Sequence, residues 1–182
     1  MGVVKKYIEA QLDAGAEIII LCEPAANMVY FSPKQIEEGS DVFERYAMEN
    51  LRELHSMIQS KGSGLFFHCC GELTLDMLKS MASLKPLIIS LGSSRKLWED
   101  EPYIDSETII YGNLPSKKFF SDAEISEEAV YELAQELLTK MKETGHAFIL
   151  GTECDVLLVP GCHEAINRKI ESMYKALADF KK

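Results

Sequence analysis

The chain lacks a clustered basic segment and lacks any long apolar run. Only 19 Lys and Arg stand against 29 Asp and Glu, a formal net charge of −10 at pH 7. A nucleic-acid interface needs a clustered basic face, and an anionic membrane surface recruits basic segments in the same way. Neither nucleic acid nor membrane is therefore an expected partner. The longest apolar runs, Ile18-Ile19-Ile20-Leu21-Cys22 and Ala147-Phe148-Ile149-Leu150, fall well short of the roughly 18 residues a spanning helix needs. Met1-Gly2-Val3-Val4-Lys5-Lys6 has no apolar core followed by a small-residue cleavage site, so no secretory signal is read there. The cysteines are few and odd in number, 5. That count fits reduced thiols and a cytoplasmic setting better than a disulfide framework. What is present is apolar residue: 47% of 182 positions, enough for one real core. Residues 1–182 are read as a single domain.

Periodicity orders the chain. Val4, Ile8 and Leu12 recur at helical spacing, and Gly15 can close that helix. Residues 17–22 form a short continuous apolar run rich in β-branched residues, which reads as a strand buried on both faces. Pro24 ends it. Ser32-Pro33 opens a helical stretch to about Gln59 in one or two helices. Leu65–His68 reads as a second strand, 86–91 as a third, 108–112 as a fourth and 147–150 as a fifth. Helices are predicted over 73–84, 95–98, from Ser126 to about Lys142, and over 165–180. Strands alternating with such helices argue for parallel β/α units, about five strands in all.

In parallel β/α folds the chemistry gathers beyond the carboxyl ends of the strands. Those ends read Cys22-Glu23-Pro24, His68-Cys69-Cys70-Gly71, Ser90-Leu91-Gly92, Gly112-Asn113-Leu114-Pro115 and Gly151-Thr152-Glu153-Cys154-Asp155. Residues i and i+2 of an extended segment face one side, so His68 and Cys70 point together and Cys69 points away. Cys154, at another strand end, can supply a third ligand. One imidazole and two thiolates suit Zn²⁺ and leave a fourth position open. Glu23 is a candidate catalytic residue, as proton acceptor or fourth ligand, and Asn113 a candidate substrate-binding residue. The competing reading is that buried cysteines act only as small hydrophobes. Cys22 is expected in the core, His55 solvated on a charged helix, His146 in a turn, and Cys162-His163 in a loop. Tyr30, Phe31, Phe66, Phe67 and Tyr111 are expected as core or pocket wall.

These stretches carry a family likeness. Residues 13–17 leading into a strand, Glu23-Pro24 followed by Phe31-Ser32-Pro33, then His68-Cys69-Cys70-Gly71, Gly112-Asn113-Leu114-Pro115 and Thr152-Glu153-Cys154 with Pro160 and Glu164 behind resemble the carboxy-terminal part of the uroporphyrinogen decarboxylase superfamily. Within it they are most similar to the zinc-dependent methyltransferases that act between corrinoid proteins and thiols such as coenzyme M. The resemblance implies His68, Cys70 and Cys154 as zinc ligands, a methyl-corrinoid protein as partner and a small thiol as acceptor. Two positions depart from the pattern: Pro115 stands where an Asp is usual, and Glu153 where Gly is common.

Members of that superfamily are complete (β/α)8 barrels of nearly twice this length, so the resemblance implies a partial TIM-type barrel. Open strand edges invite pairing. Self-association, or a partner chain completing the barrel, is therefore expected. The alternatives are a metal-free decarboxylase-like lyase and a non-catalytic module that binds a corrinoid partner.

Overall fold

Helix and strand alternate in the order the periodicity predicts. The structure, a computed structural model, describes residues 1–180. Its elements are α1 (Gly2–Asp13), β1 (Ile18–Cys22), α2 (Pro33–Glu37), α3 (Glu49–Ser60), β2 (Gly64–Cys69), α4 (Leu75–Ala82), β3 (Ile88–Leu91), α5 (Leu97–Asp100), β4 (Ile109–Leu114), α6 (Glu127–Thr144), β5 (Phe148–Thr152) and α7 (His163–Phe180). A π-helical segment, Glu44–Met48, runs directly into α3. The strands form one five-stranded sheet in the order β1-β2-β3-β4-β5. β1 pairs with β2 in parallel, and β4 with β5 in parallel. The expected α/β fold of parallel β/α units is the observed one.

The chain groups into two compact units, Met1–Ser90 with Tyr103–Ile109, and Leu91–Pro102 with Ile110 onward. In the first unit α1 buries Ile8 and Leu12 and packs on α3, which in turn packs on β2. Thr74 caps α4: its side chain accepts the N–H of Met77 at 3.2 Å, satisfying one of the donors a helix start leaves open.

Several expectations fail in this unit. β1 is not buried on both faces: Ile19 is buried, whereas Ile18, Ile20 (60% exposed) and Cys22 are exposed. It is an outer strand, and among the described residues only β2 pairs with it. Its composition suits double burial, but burial requires something to cover the second face. His55 is not solvated either. Only 7% of it is exposed, and burial holds its pKa below the ordinary histidine value. Leu51, Leu54, His55 and Ile58 are the buried positions of α3, a single helical stripe; position on the stripe outweighs the charged neighbours. Tyr30, expected in a core or pocket wall, is exposed.

In the second unit α6 packs against α7, α5 and β5. Leu114, Phe119, Ile125, Val130, Ala134 and Ile166 form its buried cluster. Truncating a ring such as that of Phe119 costs about 3–5 kcal/mol. Ser126 caps α6 by accepting the N–H of Ala129 at 3.0 Å, and Gly145 closes it at φ 75°, a left-handed backbone that glycine adopts without penalty. Lys169 is fully buried, its ammonium hydrogen-bonded to the Asp122 carboxylate. That bond is the main reason the Asp122 pKa lies below its ordinary value. His146 is more than a turn residue: its ring is buried, with Nδ1 3.1 Å from Glu101 Oε1.

β4 and β5 both run two residues past their predicted ends. The pairs Gly112↔Leu150, Asn113↔Gly151 and Leu114↔Thr152 extend one another. Mutual pairing, invisible to a reading of each strand alone, sets their length.

Candidate metal centre

The carboxyl ends of β1 and β2 are laced together. Cys22 lies opposite His68 in the register, and the N–H of Glu23 donates to the His68 carbonyl at 2.9 Å, one residue beyond β1. Glu23 is thus one residue past the register partner of His68 and joined to His68 through the backbone. Its Oε1 accepts the N–H of Ala25 at 3.2 Å. Past Pro24 the chain turns on Asn27, whose Oδ1 accepts the N–H of Val29 at 2.7 Å and whose amide donates to the Pro24 carbonyl. The N–H of Met28 donates to the Glu72 carbonyl at 2.9 Å, tying this loop to the one after β2. Gly71 has a physical reason within its motif: a Cβ there would lie 2.5 Å from the Asn27 side chain.

Along β2 the burial alternates through Cys69. Cys69 is fully buried and turns its thiol toward the Ala26 carbonyl at 3.8 Å. His68 and Cys70, on the other phase, are half-buried. The alternation expected for an extended segment is the observed one. His68 Nδ1 lies 3.0 Å from the hydroxyl of Ser90, which is itself fully buried at the end of β3.

In the second unit the ends of β4 and β5 hold each other in the same fashion. Gly112, at φ +131°, takes a backbone conformation that L side chains rarely adopt. The buried Asn113 amide donates to the carbonyls of Gly92 and Arg95 at 2.8 and 2.9 Å, fastening the segment after β3. The N–H of Glu153 donates to the Leu114 carbonyl at 2.7 Å. The Cys154 carbonyl accepts the hydroxyls of Ser116 and Thr152 at 2.9 and 2.8 Å. Cys154 itself is half-buried. Glu153 is buried, accepts the N–H of Ser93 at 3.0 Å and has Lys117 Nζ at 3.8 Å. A Cβ at Gly151 would sit 2.2 Å from the Tyr111 ring, so a side chain there would have to displace that ring.

Sequence pattern assigns no role to Ser90, Ser116 or Thr152. For Ser90 a signal exists: a hydroxyl inside an otherwise apolar strand has to find a partner. Ser116 and Thr152 act on a backbone carbonyl, which no side-chain pattern announces.

Comparison with known proteins gives this geometry a frame. The family model described as "Uroporphyrinogen decarboxylase (URO-D)" matches residues 1–165. The chain belongs to the uroporphyrinogen decarboxylase (URO-D) family. No curated protein matches it. Among solved structures, a methyltransferase from Methanosarcina mazei superposes with a TM-score of 0.70 at 20% identity, over 97% of this chain and 46% of that one. The chain thus spans under half the length of that structure. The shared fold agrees with five parallel strands of a partial TIM-type barrel. Among the described residues no helix is long and apolar enough to cross a membrane.

Proposed function

We propose that this URO-D family chain is a zinc-dependent methyltransferase, or a large piece of one, that moves a methyl group between a corrinoid protein and a thiol-type acceptor. His68, Cys70 and Cys154 hold the metal. The observation that carries this reading is the 3.0 Å contact between His68 Nδ1 and the buried Ser90 hydroxyl. A metal-binding imidazole characteristically gives its other nitrogen to a hydrogen-bond partner that fixes tautomer and ring orientation. With Nδ1–H on Ser90, Nε2 becomes the coordinating nitrogen.

The donor set supports it too. His68 and Cys70 share one phase at the end of β2, Cys154 follows the end of β5, and all three are half-buried. One imidazole and two thiolates match zinc, and three protein ligands leave a position for substrate. When bound, zinc lowers the pKa of a coordinated thiol so that it stands as a thiolate at neutral pH. The chain's own residues do the rest. Glu23, whose backbone is bonded to that of His68, takes up the proton the acceptor thiol releases. The hydroxyls of Ser116 and Thr152 fix the backbone that presents Cys154. Asn113 serves substrate binding through Oδ1, its amide nitrogen being engaged with the chain.

The metal-free decarboxylase reading has less support. A polycarboxylate substrate calls for available arginines. Arg52 is paired with Glu44, Arg95 with Asp100, and Arg168 with Asp122 and Glu127, while Arg45 lies over the Tyr46 ring. The proposal includes a cytoplasmic setting and an association of the chain with itself or with a partner chain, for which the exposed apolar face of β1 speaks.

Metal analysis tests the reading. Purified chain is expected to carry about one zinc, lost in Cys154→Ala, and to transfer methyl from a methyl-corrinoid to a thiol. Folded wild-type chain that takes up no zinc when zinc is supplied overturns it.

A further inference from the structure

We propose that a cleft in the second unit binds a small zwitterion with an apolar body, of the α-amino-acid type. The inference does not rest on the metal reading.

The cleft lies between the segment after β3, the end of β4 and helix α6. Its floor is apolar, formed by Trp98, Leu114, Pro115, Leu133 and Leu137. Leu133 is 39% exposed, so its side chain is available to a ligand in the cleft. Small-molecule sites combine such a lining with a few placed polar groups.

Four charged side chains stand at the cleft, and two of them are already neutralised. Arg95 is held by the Asp100 carboxylate, with Nε donating to Oδ2 at 2.8 Å, and Lys96 pairs with Glu99 at 3.0 Å. Of the charges lining the cleft that leaves Lys118 and, on the α6 side, Glu136. Neither makes an ion pair among the described residues, with each other or with anything else. One unpaired ammonium and one unpaired carboxylate over an apolar floor complement a ligand carrying both charges. The ligand carboxylate meets Lys118, its ammonium meets Glu136, and its side chain lies against Trp98, Leu133 and Leu137. A purely anionic ligand leaves Glu136 as a repulsive neighbour; a purely cationic one does the same with Lys118.

The walls are preformed. The Asn113 amide fixes the carbonyls of Gly92 and Arg95, Glu153 fixes the N–H of Ser93, and α6 is capped at both ends. The backbone around the cleft is thus ordered in advance, and binding has to order the exposed side chains of Lys118 and Glu136.

Trp98 is the only tryptophan, so its emission reports on this cleft directly. The probe is L-leucine, titrated to about 10 mM, the range in which a ligand of this size binds measurably. A saturable change in Trp98 emission is expected. N-acetyl-L-leucine lacks the positive charge and 3-methylbutylamine lacks the negative one; each is expected to bind at least about threefold more weakly. Lys118→Gln should make L-leucine and 3-methylbutylamine bind alike, and Glu136→Gln should do so for L-leucine and its N-acetyl form. Both residues are exposed, so neither variant threatens the fold. Leu133→Glu, with its fold checked by circular dichroism, should abolish the signal. No saturable change with L-leucine, equal binding of all three ligands, or discrimination unaltered in both charge variants overturns the proposal.

Discussion

The backbone N–H of Ser93 donates to Oε2 of Glu153 at 3.0 Å. One end of this bond begins the segment after β3; the other sits in the residue before Cys154. A buried carboxylate accepting a backbone N–H makes one charge-assisted bond that holds the two segments together, with the Lys117 ammonium 3.8 Å away as an ion-pair partner. Glu153→Ala leaves the Ser93 N–H without its acceptor and is expected to cost about 1–3 kcal/mol. Glu153→Gln keeps an acceptor and costs less. Urea unfolding of the two variants and the wild type measures both. Equal stability of all three would mean that the bond holds nothing.

Ser90 bears on the metal reading. Removing its hydroxyl in Ser90→Ala leaves the His68 ring without its orienting partner. Zinc affinity is expected to fall about 10–100-fold, while Ser90→Thr, which keeps a hydroxyl, loses less. Competition with a chelator of known zinc affinity reads the difference. An unchanged affinity in Ser90→Ala would detach Ser90 from the metal.

His55 predicts a pH dependence. Burial lowers its folded pKa below the ordinary value of 6.5. The unfolded chain therefore takes up a proton as pH falls through about 6.5, and the folded chain resists until lower pH. Stability attributable to His55 is greatest above that value and declines below it. Between about pH 7.5 and pH 5.5 the wild-type midpoint of thermal unfolding should fall more steeply than that of His55→Gln. Parallel slopes would show that the ring protonates equally in both states.

The open face of β1 predicts association. Ile20 is 60% exposed on the outer strand. Ile20→Lys adds a charge of the kind that blunts strand edges and, at an exposed site, changes folding stability by no more than about 0.5 kcal/mol. Sedimentation of the wild type should show concentration-dependent association, weakened in the variant. A wild type that stays monomeric at high concentration would remove the expectation.

Much of the fold is legible in the amino-acid sequence. Continuous apolar runs mark the strands, the break residues Pro24, Gly15 and Gly145 mark element borders, and period-two alternation separates Cys69 from His68 and Cys70. These features are local: they depend on backbone geometry that each residue carries with it. Candidate ligands are legible for a related reason, because strand ends are where parallel folds keep their chemistry.

Burial and partnership are not legible, since both depend on what another segment brings. β1 has the composition of a doubly buried strand, yet among the described residues only β2 pairs with it. His55 has charged neighbours in sequence, yet lies on the buried stripe of α3. Asn113 stands at a strand end, and its amide nitrogen is committed to two carbonyls some twenty positions earlier in the chain. The sequence by itself determined the order of elements, the phase of each strand and the residue types at their ends, because those follow from local periodicity. Only the tertiary structure decided that Ser90 meets His68, that Ser116 and Thr152 hold the backbone of Cys154, and that Lys118 and Glu136 stand unpaired at one cleft. Hydrogen bonds reach only about 3 Å, and no local pattern says which distant residues will come that close.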